Sequence, residues 1–285
     1  MSALPALRHP DDQSLDAEFS FGDADFERVR VLIHRRAGIS LHAGKHAMVY
    51  SRLSRRLRAL GQRSVGAYLQ MLESATGGAA EQEWQEFVNC LTTNLTSFFR
   101  EDHHFPLLAQ ELTRHGGKGL RLWCNAASTG EEPYSLAMTV IETLGPGAEV
   151  DIVCSDIDTK VLTVAARGVY PAEARGLNPE RLRRHFLRGS GANAGFIRVK
   201  PEVRRLVEFR ALNLMDERWA LGEAFDFVFC RNVMIYFDSA TQRRVLEGMH
   251  RVMRPQGLLF GGHSENFGDS RDLFRLRGKT VYERV

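Results

Sequence analysis

An apolar segment, Leu120-Arg121-Leu122-Trp123-Cys124, leads through Asn125 into Ala126-Ala127-Ser128-Thr129-Gly130-Glu131-Glu132-Pro133-Tyr134-Ser135, and a helix-like stretch continues to Leu144. Small residues at 126, 128 and 130 let a backbone turn tightly and approach a ligand closely. Pro133 is pre-set for the first turn of a helix. Strand, small-residue turn and helix together make a nucleotide-type pocket at the carboxyl end of a parallel strand.

The acidic pair restricts the ligand. A turn built for a pyrophosphate offers its helix N-terminus to an anion, yet Glu131 and Glu132 occupy that position here. They suit a ligand with a cationic group. S-adenosylmethionine has an ammonium, a sulfonium and no phosphate. Acidic residues in a first turn also complement the helix dipole without any ligand, so the turn alone leaves both readings open.

No apolar run among the 285 residues approaches the roughly 18–20 needed to span a bilayer. The first residues lack the charged and apolar regions of a signal peptide. Cys90, Cys124, Cys154 and Cys230 are scattered without a CxxC pair, which fits reduced, buried thiols and a cytoplasmic setting. Net charge is only +3, but ten Lys or Arg residues and no Asp or Glu fall between Arg28 and Leu72. Such a local basic field implies an acidic partner.

From about Phe21 to Cys90 the pattern is helical. Asp23 or Asp25 caps a first helix that ends at Gly38, and a second runs from Ala43 to Leu60 and stops at Gly61. In the second, Leu53, Leu57 and Leu60 form an apolar stripe, with Arg52, Arg55, Arg56 and Arg63 on another face. Helical stretches at 65–73 and 81–91 follow. Beyond a mixed segment, Thr92 to Arg100, strands are expected near 120–124, 149–154, 206–210, 225–230 and 258–261, with helices at 133–144, 158–167 and 240–253. Alternation of this kind predicts a parallel sheet covered on both faces. Phe274 to Val285, broken at Gly278, reads as a terminal antiparallel hairpin. Between Tyr170 and Val207 the alternation fails. Phe186-Leu187 and Phe196-Ile197-Arg198-Val199 flank a Gly-rich loop, and Leu206-Val207 follows Pro201, which suggests an antiparallel insertion of two or three strands. It is either a docking edge for strand addition or a neutral elaboration.

Asp156, at the end of the second strand, is placed to accept hydrogen bonds from ribose hydroxyls, whereas Asp158 reads as a helix N-cap. Arg231 and Asn232 emerge where the fourth strand meets the crevice. Tyr236 stands either at a methyl group or in the core, and Asn213-Leu214 would flank an adenine.

Thr92-Thr93-Asn94-Leu95-Thr96-Ser97-Phe98-Phe99-Arg100-Glu101, STGEEPYS at 128–135, SDID at 155–158 and FCRNVMIYF at 229–237, in that order, resemble the CheR family. These are glutamate methyltransferases of bacterial chemotaxis receptors, and the likeness runs from about Phe21 onward. It implies a class I S-adenosylmethionine-dependent methyltransferase: a Rossmann-like doubly wound sheet with a terminal antiparallel hairpin, an all-helical N-terminal domain and a small inserted antiparallel β-subdomain. The division implied is an arm over 1–20, a helical domain over 21–91, a linker over 92–106 that contributes to the cofactor site, and a methyltransferase domain over 107–285 with the β-subdomain at about 181–207.

On that resemblance Asn94, Thr96 and Arg100 close over the cofactor, Glu131 holds its amino group and Asp156 its ribose. Asn213, Leu214, Arg231 and Asn232 complete the pocket. Arg52, Arg55 and Arg56 meet the acidic receptor helix. Cys124 and Asn125 stand where many relatives carry small residues. The products implied are a glutamate methyl ester and S-adenosylhomocysteine, made by a monomer without metal, nucleic acid or membrane insertion. A receptor tail peptide at the β-subdomain is an open expectation. A carboxylate is already ionised at neutral pH, its reference pKa being about 4.3, so no general base is nominated. Arg100 is expected to orient the carboxylate and Tyr236 to shape the methyl channel. His103-His104 are expected in packing or capping roles, and His263-Ser264-Glu265 in a loop beside the crevice, since sequence neighbours cannot form a nucleophile–base–orienter chain. Two alternatives stand beside this reading: a methyltransferase acting on nucleic acid, and a non-catalytic cofactor-sensing or scaffold protein.

Overall fold

The computed structural model describes residues 18–285; the part of the expected arm up to residue 17 lies outside the described residues. The helical domain comprises α1 (Asp23–Ala37), α2 (His46–Leu60), α3 (Val65–Ser74) and α4 (Gly78–Leu91). Its core is one cluster in which Val29 and Ile33 of α1, Leu53 and Leu57 of α2, Tyr68 and Leu69 of α3 and Phe87 of α4 are buried. The N-cap of α1 is Gly22, not Asp23 or Asp25, and Asp25 instead accepts a bond from the Gly22 N–H. Residues Ala43–Lys45 form a 3-10 turn ahead of α2.

The acid-free stretch does not present a bare basic face. Acids from either end and from α4 fold back over it: Arg28 pairs with Glu73, Arg30 with Glu27, Arg36 with Glu81 and Arg58 with Glu18. Arg56 is held by Glu83 and Glu86. Arg52 donates to the carbonyl oxygens of Leu91 and Thr92 at 2.8 and 2.6 Å. Of the three arginines expected to face a receptor, only exposed Arg55 has no ion pair or hydrogen bond among the described residues.

The rest of the chain runs α5 (His104–His115), β1 (Lys118–Cys124), α6 (Glu131–Leu144), β2 (Glu149–Asp156), α7 (Thr159–Arg167), β3 (Val169–Pro171), α8 (Pro179–His185), β4 (Phe186–Arg188), β5 (Phe196–Val199), α9 (Pro201–Arg204), β6 (Val207–Ala211), β7 (Phe225–Cys230), α10 (Ser239–Val252), β8 (Met253–Gly261), β9 (Phe274–Gly278) and β10 (Val281–Arg284). Helix α5 was not anticipated and begins inside the expected linker. The seven-stranded sheet has the order β6-β2-β1-β7-β8-β10-β9, parallel through β8, with β10 antiparallel to β8 and β9 antiparallel to β10. Strand order reverses between β1 and β7, which opens a crevice at their carboxyl ends.

The three-stranded sheet β3-β5-β4 is antiparallel. It begins at Val169, ahead of the expected 181, and its third strand is β3; Val207 pairs with Ile152 in the main sheet instead. Arg181 and His185 of α8 anchor this insertion to Glu142 of α6 at 2.9 and 3.0 Å. Tyr170 of β3 donates to the Thr129 carbonyl at 2.8 Å.

Candidate active site

The turn after β1 bends as its small residues predict. Ser128 has φ 48° and Gly130 φ 100°. A Cβ on Gly130 would lie 2.6 Å from the Tyr170 hydroxyl and 2.9 Å from Ala165, so glycine is required there both for conformation and for space.

Beside this turn, at the crevice, lies a cavity of about 340 Å3, within the ~300–1,000 Å3 usual for small-molecule sites. Both domains wall it. From the helical side come the loop between α1 and α2 and the start of α2; from the linker come Asn94, Thr96 and Arg100; from the sheet come Asn125, Asp156, Asn213, Leu214, Arg231, Asn232 and Tyr236. Every residue expected at the cofactor is thus brought to one cavity except Glu131. Its carboxylate accepts from Thr129 Oγ1 at 2.6 Å, and of the two adjacent glutamates it is Glu132 that lines the wall.

The two glutamates differ in electrostatics. Glu132 is buried and paired with the Arg231 guanidinium at 2.6 Å, so its charge is neutralised. Glu131 has no cationic partner among the described residues, and burial raises its pKa against the pull of the Thr129 hydroxyl. Asp156 is 8% exposed; its two oxygens accept from the backbone N–H of Ser128 at 2.8 Å and of Asp158 at 2.9 Å. Burial pushes the Asp156 carboxyl up to about 6, with those two bonds opposing. Asp158 caps α7 through the N–H groups of Lys160 and Val161. It also accepts from Thr92 and Asn94 side chains at 2.7 and 2.8 Å, which fastens the linker to the end of β2. Asn213 donates to the Arg36 carbonyl at 2.7 Å and so joins the sheet to α1.

Arg231 is a buried hub. Besides Glu132 it donates to the Arg100 carbonyl and lies 3.4 Å from Glu101, and its Nε has no partner. The buried Asn125 Oδ1 also lacks one. Both residues border the cavity. An orphaned donor and an orphaned acceptor, together with buried carboxylates and, among the described residues, only Lys45 and Arg100 as lining Lys or Arg without an ion pair, fit a zwitterionic, cationic nucleoside better than a polyphosphate.

Residues 24–92 match the family model described as CheR methyltransferase, all-alpha domain, and residues 94–283 match the one described as CheR methyltransferase, SAM binding domain. The chain belongs to the CheR methyltransferase family. It is 53% identical over 271 residues to chemotaxis protein methyltransferase 2 of Pseudomonas aeruginosa, covering 93% of this chain and 94% of that protein. With the chemotaxis protein methyltransferase of Escherichia coli it shares 50% identity over 266 residues, covering 92% and 91%. The α/β domain of this CheR chain is therefore an S-adenosylmethionine-binding domain. No helix among the described residues is long and apolar enough to cross a membrane.

His104 is fully buried, its Nε2 facing the Lys279 carbonyl and the Thr280 hydroxyl. Burial, reinforced by the charge of Arg231, lowers its pKa to about 4, so it is a neutral packing residue. His263-Ser264-Glu265 forms the loop after β8, as expected. The importance of Glu265 was not legible. It is 4% exposed and accepts from the backbone N–H groups of Asn232, Val233 and Met234 at 3.0, 2.9 and 2.8 Å and from that of Gly262. The only trace in the sequence is its place just past a strand end.

Proposed function

We propose that this chain transfers a methyl group from S-adenosylmethionine to glutamate side chains on the cytoplasmic helices of chemotaxis receptors, leaving glutamate methyl esters and S-adenosylhomocysteine. The observation that carries this reading is a single cavity walled by both the helical and the nucleotide-binding domains. A substrate carboxylate then reaches the crevice past the helical domain. The names of the relatives, chemotaxis protein methyltransferases, agree with it.

Bound S-adenosylmethionine would supply an electrophilic methyl group on a sulfonium. Asp156 accepts from the ribose hydroxyls, and Glu131, the half-buried carboxylate without a counter-ion, takes the ammonium on turning from Thr129. Asn213, Leu214, Arg231 and Asn232 wall the nucleoside, with Asn94 and Thr96 over it. Arg100 orients the incoming carboxylate, which is already ionised and needs no base. Attack joins an anion to a cation, so alignment and exclusion of water speed it, and the grip of Arg100 has to stay modest to avoid stabilising the ground state. Tyr236 lines the path to the methyl group. The exposed apolar side chains of Leu95 and Ile235 also border this cavity.

Five of the ten basic residues of the helical domain are already paired with acids, which weakens the phosphate-binding, nucleic-acid alternative. Receptor contact falls to Arg55. Arg55→Glu is expected to raise the KM for receptor about tenfold while cofactor affinity is unchanged; Arg56→Ala should lower stability instead, because Glu83 loses its guanidinium partner and keeps only the Tyr68 hydroxyl, while Glu86 stays paired with Lys160. Steady-state kinetics at varied receptor concentration separate the two.

Asp156 gives a pH signature. Its folded value of about 6 lies above the usual carboxylate range, near 3.9 in an unfolded chain. The folded state therefore holds a proton that the unfolded state has released, and this stabilising contribution is lost as pH rises through about 6. Ribose binding needs the ionised form, so affinity for S-adenosylhomocysteine is expected to rise with pH through about 6. In Asp156→Asn that rise should vanish.

The deciding experiment is transfer of labelled methyl from S-adenosylmethionine to chemoreceptor-containing membranes, followed by mild alkali. Alkali-labile label on the receptor is expected. Cofactor binding without transfer would favour the non-catalytic reading, and label on RNA the nucleic-acid one.

A further inference from the structure

We infer that Glu101 and Glu265 are positioning residues that present Asn232 to the cofactor as a hydrogen-bond acceptor only. The inference rests on the cavity being the cofactor site. Asn232 follows β7 with φ 58°, a left-handed conformation, on the cavity wall. The N–H groups of 232, 233 and 234 converge on the Glu265 carboxylate. Successive N–H groups in such a turn form an anion-binding nest, and the protein supplies the anion itself. Glu265 has no cationic partner among the described residues; burial pushes its carboxyl up, and the converging backbone N–H groups are what oppose that shift. The fit is close: a Cβ on Gly262 would lie 2.7 Å from Asn232 Nδ2 and 2.8 Å from Glu265 Oε2.

With the backbone of Asn232 fixed by Glu265, Glu101 fixes its side chain. Glu101 Oε1 accepts from Asn232 Nδ2 at 3.1 Å, and Oε2 accepts from the His263 N–H at 3.0 Å. An ionised carboxylate can only accept. Glu101 is ionised, its pKa being lowered because the bonds from Asn232 and His263 and the charge of Arg231 outweigh burial. The amide of Asn232 therefore cannot turn its oxygen toward Glu101. Its Oδ1 is left without a protein partner among the described residues. An acceptor at that place suits the hydrogen-bond donors of the cofactor, which are the adenine amine, the ribose hydroxyls and the ammonium, and disfavours analogues that offer an acceptor instead. Glu101 belongs to the linker, so a carboxylate of the linker sets the polarity of this wall.

The test is calorimetric titration of the full chain with S-adenosylhomocysteine. Glu101→Gln leaves the amide of Asn232 free to turn and is expected to weaken binding about tenfold. The double variant Glu101→Gln/Asn232→Asp reverses the donor and acceptor of the same bond, conserves net charge and still offers an acceptor to the cavity. It is expected to bind within about threefold of the parent, a recovery that loss of general stability could not produce. Glu101→Gln that unfolds at the parental temperature yet binds like the parent would overturn the proposal, as would a double variant no better than the single. Should Glu101→Gln not fold, Asn232→Gly decides, since glycine tolerates the left-handed backbone: about tenfold weaker binding supports the role, and parental affinity overturns it. A parent chain that fails to bind S-adenosylhomocysteine at all would instead strike the assignment of the cavity.

Discussion

Arg100→Ala is expected to lower turnover on receptor by about 10²- to 10³-fold, the loss typical of removing one donor aimed at a reacting group. The fold should survive. The Arg100 side chain makes one bond to the protein, from Nη1 to the Leu95 carbonyl at 2.9 Å, and otherwise borders the cavity. Its backbone carbonyl is what Arg231 grips, and alanine keeps that carbonyl. The unfolding free energy from urea titration should therefore change by less than about 1 kcal/mol. Arg100→Lys is expected to recover little, because an ammonium cannot make the planar two-point contact of a guanidinium with a carboxylate. The informative comparison is kcat against KM: a role in orientation lowers kcat, whereas an effect confined to the KM for receptor would reassign Arg100 to docking. A fully active Arg100→Ala protein would remove it from the mechanism.

Arg231→Ala should have the largest effect on stability, a loss of about 3–5 kcal/mol, as expected for a buried ion pair broken on one side. Arg231 has no exposed side-chain surface and Glu132 has 11%. Without the guanidinium, Glu132 is left charged beside the buried Cys124 thiol at 3.4 Å, and the linker loses its anchor at the Arg100 carbonyl. Glu132→Gln should be milder, since the amide oxygen still accepts from Arg231. Replacing both residues with apolar ones of similar volume should restore much of the stability but not cofactor binding, because desolvation of the pair is costly in itself. Equilibrium urea unfolding of the four proteins tests this; a loss below about 1 kcal/mol for Arg231→Ala would mean that the hub does not hold the crevice together.

Much of the fold was legible because local chemistry and tertiary structure agree. The strand expected at 225–230 is β7 with the same ends, and Asp158 caps α7 as its position after Ile157 foretold. Hydrophobic runs of that kind are buried on both faces, so little else can form there. Helix α5 was missed because its first turn holds a histidine and a proline, with no side-chain cap at His103. The third strand of the insertion was misplaced because Val169–Pro171 is only three residues long and follows a helix directly. Short strands carry no period of their own; their pairing is settled by what lies alongside.

By itself the sequence determined the helical domain, the parallel sheet, the turn at 126–133 and most of the polar side chains that line the crevice, because periodicity, glycine and capping act over a few residues. Charge pairing is different, since it depends on distance in space. A stretch with ten basic residues and no acid became a half-neutralised surface once the chain folded, with Glu83 and Glu86 of α4 on Arg56 and Glu81 on Arg36. In the same way, only the fold could decide that Glu132 is spent on Arg231 while Glu131 keeps an unbalanced charge. The two are adjacent in sequence, but successive residues on a helix point about 100° apart, and only one of them meets the arginine.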